Sequence, residues 1–165
     1  DSDPIYQNGR FATIYLAPTN YHRIHMPFTG QLMRMDYIPG RLFSVRPEKI
    51  ATVDHIFARN ERLVCHFVGE HGPFVLILVG AQLVSGLETV WHGPVEHHKA
   101  HTWHYDKQPI ILQRQQEMGR FNFGSTVILL TPASVDWHNQ HTSSQKVQLG
   151  DTLGRYQSED DHGIQ

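Results

Sequence analysis

Gly124-Ser125 lies in the run Glu117-Met118-Gly119-Arg120-Phe121-Asn122-Phe123-Gly124-Ser125-Thr126-Val127. A Gly-Ser bond between two apolar, strand-like stretches is either an ordinary turn or a bond the chain cuts in itself. A serine hydroxyl is a weak nucleophile until a base takes its proton. Its nearest electrophile is the carbonyl of Gly124, which a tight turn brings within reach because glycine has no side chain. Attack there moves the acyl group from nitrogen to oxygen and leaves an ester. Loss of the serine α-proton then expels the Gly124 carboxylate, and the new N-terminus tautomerises and loses ammonia to water. The product is a pyruvoyl group. Its ketone captures a substrate amine, and the adjacent amide carbonyl serves as an electron sink. An amine that bears an α-carboxylate can lose CO2 into that sink.

A base has to be supplied from elsewhere. His22 and His25 stand three residues apart in Tyr15-Leu16-Ala17-Pro18-Thr19-Asn20-Tyr21-His22-Arg23-Ile24-His25-Met26-Pro27. Pro18 suits the first turn of a helix and Pro27 disfavours helix at Met26, which predicts about two helical turns between them. Residues three apart then share a face, so both imidazoles project into one space. Such a pair binds a metal or handles protons; alternatively one ring is buried on a backbone partner and the other is exposed. No motif places a third ligand, so no metal site is expected. His92, His97, His98, His101 and His104 form a second cluster, read as a solvated loop because their spacing matches no zinc pattern.

The elements that must position these residues are mostly strands. Runs at 10–16, 30–37, 61–68, 74–79, 83–91, 110–113 and 125–130 are β-prone. Gly69 to Pro73 reads as a hairpin connection, Gly86 as a bulge, Pro39-Gly40 as a turn, and 147–156 as a last hairpin. A second helix is expected over 48–60. The fold class is mainly β, a β-rich sandwich or partly open barrel with one or two short helices, in a single domain over 1–165.

At 165 residues the chain can bury a core, and its formal charge of -2 provides no field to gather nucleic acid. The one cysteine, Cys65, excludes an internal disulfide and reads as a buried thiol. The longest apolar stretch, 74–81, falls far short of the roughly 20 residues that span a bilayer. No secretory signal is visible.

Taken in order, five motifs closely resemble the phosphatidylserine decarboxylase family, in its bacterial type. They are Tyr15-Leu-Ala-Pro-x-x-Tyr-His-Arg-Ile-His-Met-Pro27, Leu42-Phe43-Ser44-Val45, Phe57-Ala-Arg-Asn-Glu-Arg62, Ile77-Leu-Val-Gly-Ala81 and Glu117-Met-Gly-Arg-Phe-x-Phe-Gly-Ser-Thr-Val127. The resemblance implies self-cleavage between Gly124 and Ser125, giving a β-chain part (1–124) and an α-chain part (125–165). Ser125 would be the nucleophile and the source of the pyruvoyl cofactor. His25 would be the base of maturation, within hydrogen-bond reach of Ser125, and His22 would serve decarboxylation. Tyr15 and Ser44 match positions near the substrate.

The resemblance further implies phosphatidylserine as substrate, with phosphatidylethanolamine and CO2 as products. It implies peripheral attachment to the cytoplasmic face of the bacterial membrane, and a possible homodimer of α/β-chain pairs. The family's triad also uses an aspartate from an upstream motif, which none of Asp3, Asp36, Asp54 or Asp106 matches. The chain therefore reads as the C-terminal part of a proenzyme, and poor maturation of this piece alone is expected. Two alternatives remain open: an inactive or binding-only β-domain whose histidines hold metal or lipid headgroups, and a pyruvoyl decarboxylase for another headgroup.

Overall fold

Apolar side chains make the long strands, alternating with more exposed ones in some and running continuously in others. In the computed structural model, which describes residues 4–50, 52–81, 86–95, 99–122, 125–137 and 145–156, β3 (Gly30–Ile38) buries Leu32, Met35 and Tyr37, with a register shift between Leu32 and Arg34. Its neighbours are β4 (Arg62–Gly69), β5 (Gly72–Val79), β8 (His101–His104) and β9 (Ile110–Leu112). With β1 (Arg10–Leu16) and β11 (Ser125–Thr131) they form a seven-stranded sheet of order β1-β11-β5-β4-β3-β8, with β9 also paired to β3. A four-stranded sheet has the order β2 (Arg23–His25), β10 (Glu117–Phe121), β6 (Leu87–Thr89), β7 (Gly93–Val95). β12 (Val135–Trp137) pairs with β13 (Gly154–Tyr156).

Every pairing between these strands is antiparallel. The large sheet is open at β1 and β8, so no barrel closes. One apolar cluster draws on both sheets, joining Leu63, Phe67, Phe74, Leu78 and Leu129 to Ile24, Leu87, Met118 and Phe121. The sandwich reading of the sequence therefore holds. The β4–β5 hairpin closes through Glu70 and His71, with Gly72 at φ 107°, a conformation glycine adopts without strain.

The helix expected between Pro18 and Pro27 is absent. The Asn20 side chain accepts the Ala17 amide at 2.8 Å and the Asn20 amide returns to the Ala17 carbonyl at 2.8 Å, closing a turn. Pairing with β10 then draws Arg23–His25 into an extended strand. The helix expected over 48–60 is two single turns, α1 (Pro47–Ile50) and α2 (Ile56–Arg59), separated by His55 in the left-handed region at φ 54°.

Three further expectations change. Gly86 lies at φ 116° just ahead of the short β6 rather than inside a long strand, and residues 82–85 are outside those described. The 147–156 hairpin is not formed: β13 pairs with β12, which the sequence reading did not identify. Of the second histidine cluster, His92 is in a turn, His101 and His104 begin and end β8, and His97 and His98 lie outside the described residues.

Candidate functional site

Ser125 is the first residue of β11, a strand flanked on both sides. It pairs with Leu16 on β1, and the next residue, Thr126, pairs with Tyr15 on one side and Val79 on the other. Ser125 shares its face with Val127 and Leu129, both in the core, and is itself fully buried. Among the described residues its Oγ has no hydrogen-bond partner, and neither has Oγ1 of the fully buried Thr126 on the opposite face. An orphaned buried hydroxyl costs about 1–3 kcal/mol relative to one that is satisfied. Gly124, the other half of the expected scissile bond, lies outside the described residues.

The two sheets exchange the chain at this point. β1 ends at Leu16, opposite Ser125, and β2 begins at Arg23, opposite Arg120. The Phe121 amide donates to the His22 carbonyl at 3.0 Å. The connection from β1 to β2 and the connection from β10 to β11 thus run between the same two strand pairs. His22 and Ser125 belong to one crossing.

The two histidines do not share a face. Ile24 and Met26 point into the core, so Arg23 and His25 point to the outer side of the small sheet. His25 Nδ1 donates to the Gln115 carbonyl at 2.7 Å, and its Nε2 accepts from the Tyr21 hydroxyl at 2.9 Å. Tyr21 also stacks on the ring, 5.7 Å between centroids. Both nitrogens of His25 are thus engaged away from Ser125, and the His25–Ser125 hydrogen bond expected from the sequence is not formed. His22 differs. Its Nδ1 donates to the Asn20 carbonyl at 2.6 Å, while Nε2 is buried and free of any hydrogen bond. The carbonyl on Nδ1 fixes the tautomer and leaves the Nε2 lone pair available as a base.

The first and last motifs are locked together by charge as well as by the β2–β10 ladder. Arg23 donates to both carboxylate oxygens of Glu117, at 2.7 and 3.0 Å. Arg120 pairs with Glu88 on β6 at 2.7 Å. Tyr15 pairs with Thr126 in register, so its side chain leaves the sheet on the face opposite Ser125.

Ser44 belongs to a separate corner. It lines a shallow depression of about 280 Å³ with Leu42, Phe43, Lys49 and Val53. Asn60 fixes that segment. Its side chain accepts from the Phe43 amide at 3.0 Å and donates to the carbonyls of Phe43 and Gly80, both at 2.9 Å. Gly80 follows Val79, the partner of Thr126, so Asn60 ties the Ser44 segment to the end of the strand beside Ser125. The middle three motifs meet at this one side chain. Gly40 permits the approach, since a Cβ there would stand 2.5 Å from the Arg59 carbonyl oxygen.

Asn60, Tyr21 and Gln115 are the residues that sequence reasoning did not single out. Tyr21 and Asn60 were inside the quoted motifs. For Tyr21 the available signal was its two-residue spacing from Arg23 and four-residue spacing from His25. Gln115 carries a signal only in the structure, a left-handed φ of 68° that aims its carbonyl at His25. Among the described residues no cluster of three or more His, Cys, Asp or Glu offers a metal site.

The fold and site define a class: an antiparallel β protein with a buried serine at the start of a central strand, where one sheet hands the chain to the other, and a histidine on the companion connection. The sequence profile of the phosphatidylserine decarboxylase family matches residues 2–155, and the chain belongs to that family. It is 49% identical over 154 residues to the phosphatidylserine decarboxylase proenzyme of Herminiimonas arsenicoxydans, covering 91% of this chain and 52% of the relative. The proenzyme of Delftia acidovorans is 51% identical over 153 residues, covering 90% and 54%. That of an Azoarcus species is 47% identical over 153 residues, covering 90% and 53%. The chain spans about half the length of the curated relatives it matches.

Proposed function

We propose that the protein carrying this chain is a phosphatidylserine decarboxylase that makes its own pyruvoyl group by cutting between Gly124 and Ser125. The observation that carries this reading is the buried Ser125 hydroxyl, without a partner among the described residues, at the crossing that also holds the bare Nε2 of His22. A hydroxyl that hydrogen-bonds nothing loses nothing when it leaves. In the reaction Oγ departs with the Gly124 carboxylate, nitrogen departs as ammonia, and water supplies the ketone oxygen. What remains at Cβ is a methyl group, which suits a face shared with Val127 and Leu129.

In the mature enzyme the pyruvoyl group supplies a ketone that takes up the substrate amine and an electron sink for the pair released with CO2. The chain's own residues have three tasks. Ser125 attacks the Gly124 carbonyl. His25 takes the serine proton, which requires Tyr21 to release Nε2 and the ring to leave the outer side of β2. His22, whose Nε2 is already free, takes the proton that the substrate ammonium sheds as it engages the ketone and passes it to the carbon that lost CO2. One observation favours exchanging the two histidines, namely that His22 lies at the crossing and His25 on the outer side of β2. Tyr15 and Ser44 are assigned to substrate contact, Ser44 through the depression it lines. Attachment is peripheral, at the cytoplasmic face of a bacterial membrane; among the described residues no helix is long and apolar enough to cross one.

The test of substrate class is release of labelled CO2 by the full-length protein from carboxyl-labelled phosphatidylserine in mixed micelles. Release from the lipid, abolished by Ser125→Ala, is the expected result. Release from free serine or from glycerophosphoserine at the same rate would show that another amine is the substrate.

A further inference from the structure

We propose that the exposed side chains of Arg41, Leu42, Arg46 and Lys49 form a face by which the protein docks on a bilayer rich in anionic phospholipid. The inference rests on the lipid-decarboxylase reading for its biological purpose, and on charge and exposure for its location. Residues 41–59 carry four cations and two acids, whereas the rest of the chain has ten cations and fourteen acids. The basic excess is therefore local. Arg41, Arg46 and Lys49 are exposed, and among the described residues none forms an ion pair. Arg59 lies 4.8 Å over the Phe43 ring.

Apolar groups stand among these charges. Leu42 is 42% exposed, and the depression beside it is lined by Phe43 and Val53 with Lys49. A single exposed leucine means little. An exposed leucine beside a depression that Lys49 lines, with Arg59 over Phe43 and with Arg41 and Arg46 exposed in the same segment, is complementary to a bilayer surface, where phosphates meet acyl chains. A second copy of the chain fits less well, because a two-fold contact would press the same cations against each other. The corner is also connected to the reactive residue. Asn60 holds it to Gly80, at the end of the strand that runs beside Ser125. A lipid headgroup drawn to this corner arrives near the crossing.

The test is sedimentation with vesicles of phosphatidylcholine alone and of phosphatidylcholine with 30% phosphatidylglycerol (about one lipid in three anionic). The protein is the full-length chain carrying Ser125→Ala, so that binding does not depend on maturation or turnover. Each basic residue near an anionic surface contributes about a fivefold gain in partitioning. Arg46→Gln with Lys49→Gln should therefore weaken binding to the anionic vesicles roughly twentyfold, with the loss shrinking in high salt. Lys107→Gln with Lys146→Gln, which removes two exposed cations elsewhere, should leave binding near the parent value. Equal binding by the Arg46/Lys49 variant, or an equal loss in the control, would overturn the proposal. So would failure of the parent to bind anionic vesicles together with a dimer that the Arg46/Lys49 changes dissociate. If the vesicle results hold while labelled CO2 is never released, the docking face stands and the decarboxylase reading falls.

Discussion

At the scale of single residues, the chemistry rests on which nitrogen of each histidine is free. Both rings give their Nδ1 hydrogen to a backbone carbonyl, Asn20 for His22 and Gln115 for His25. The difference lies at Nε2, bare in His22 and occupied by the Tyr21 hydroxyl in His25. Nitrogen-15 spectra of histidine-labelled protein should find both residues as Nδ1–H tautomers at neutral pH, and an Nε2–H signature for His25 would contradict the assignment. The roles separate by substitution in the full-length protein. His25→Ala should leave the precursor uncut, while His22→Ala should permit cutting yet reduce turnover by about 100-fold or more. The reverse pattern would exchange the two roles. Ser125, His22 and His25 were named as candidates from residue type and motif alone. Their relative orientation was not, because a three-residue spacing puts two side chains on one face of a helix and opposite faces of a strand. Asn20 decided between the two by closing a turn with its own side chain.

At the scale of elements, what positions the site is the crossing between sheets and the bond set of Asn60. Asn60 is fully buried and serves three backbone groups, two on Phe43 and one on Gly80. Asn60→Ala leaves all three without that partner. Destabilisation of about 3 kcal/mol or more follows, and chemical denaturation should show it as a shifted midpoint with an unchanged slope. A loss under about 1 kcal/mol would mean the three groups find other partners. The long strands were plain in the sequence, since alternation in β4 and continuous apolar runs in β5 and β11 need no tertiary information. Some short ones were not, although β9 was expected at 110–113. β2, β12 and β13 are three residues each and exist only because a distant strand pairs with them. No local pattern announces such an element. The single helix expected over 48–60 failed because His55 turns left-handed between two isolated helical turns.

At the scale of the whole molecule, two sheets share one core, and Cys65 and Tyr37 within it, with the part-buried Tyr156, govern alkaline stability. Burial, helped by the Asp36 charge, pushes the Cys65 thiol far above its ordinary 9.0. Burial, with Glu61 nearby, pushes Tyr37 up to about 12, and burial alone does the same for Tyr156. A raised folded value means the fold favours the protonated form. That stability is complete below the unfolded values, near 9 for the thiol and 10 for the phenols, and disappears as pH climbs towards 12 and beyond. Denaturation midpoints should thus fall steadily above about pH 9, and Cys65→Ala should remove the first part of that slope. A flat response to pH 11 would contradict the burial of all three. The central claim is that this architecture exists to cut one bond. Intact mass spectrometry of the full-length protein tests it most directly. The account predicts two fragments divided between Gly124 and Ser125, the second beginning with a carbonyl-blocked residue, and a single chain in the Ser125→Ala variant. One unmodified chain in both proteins would contradict it.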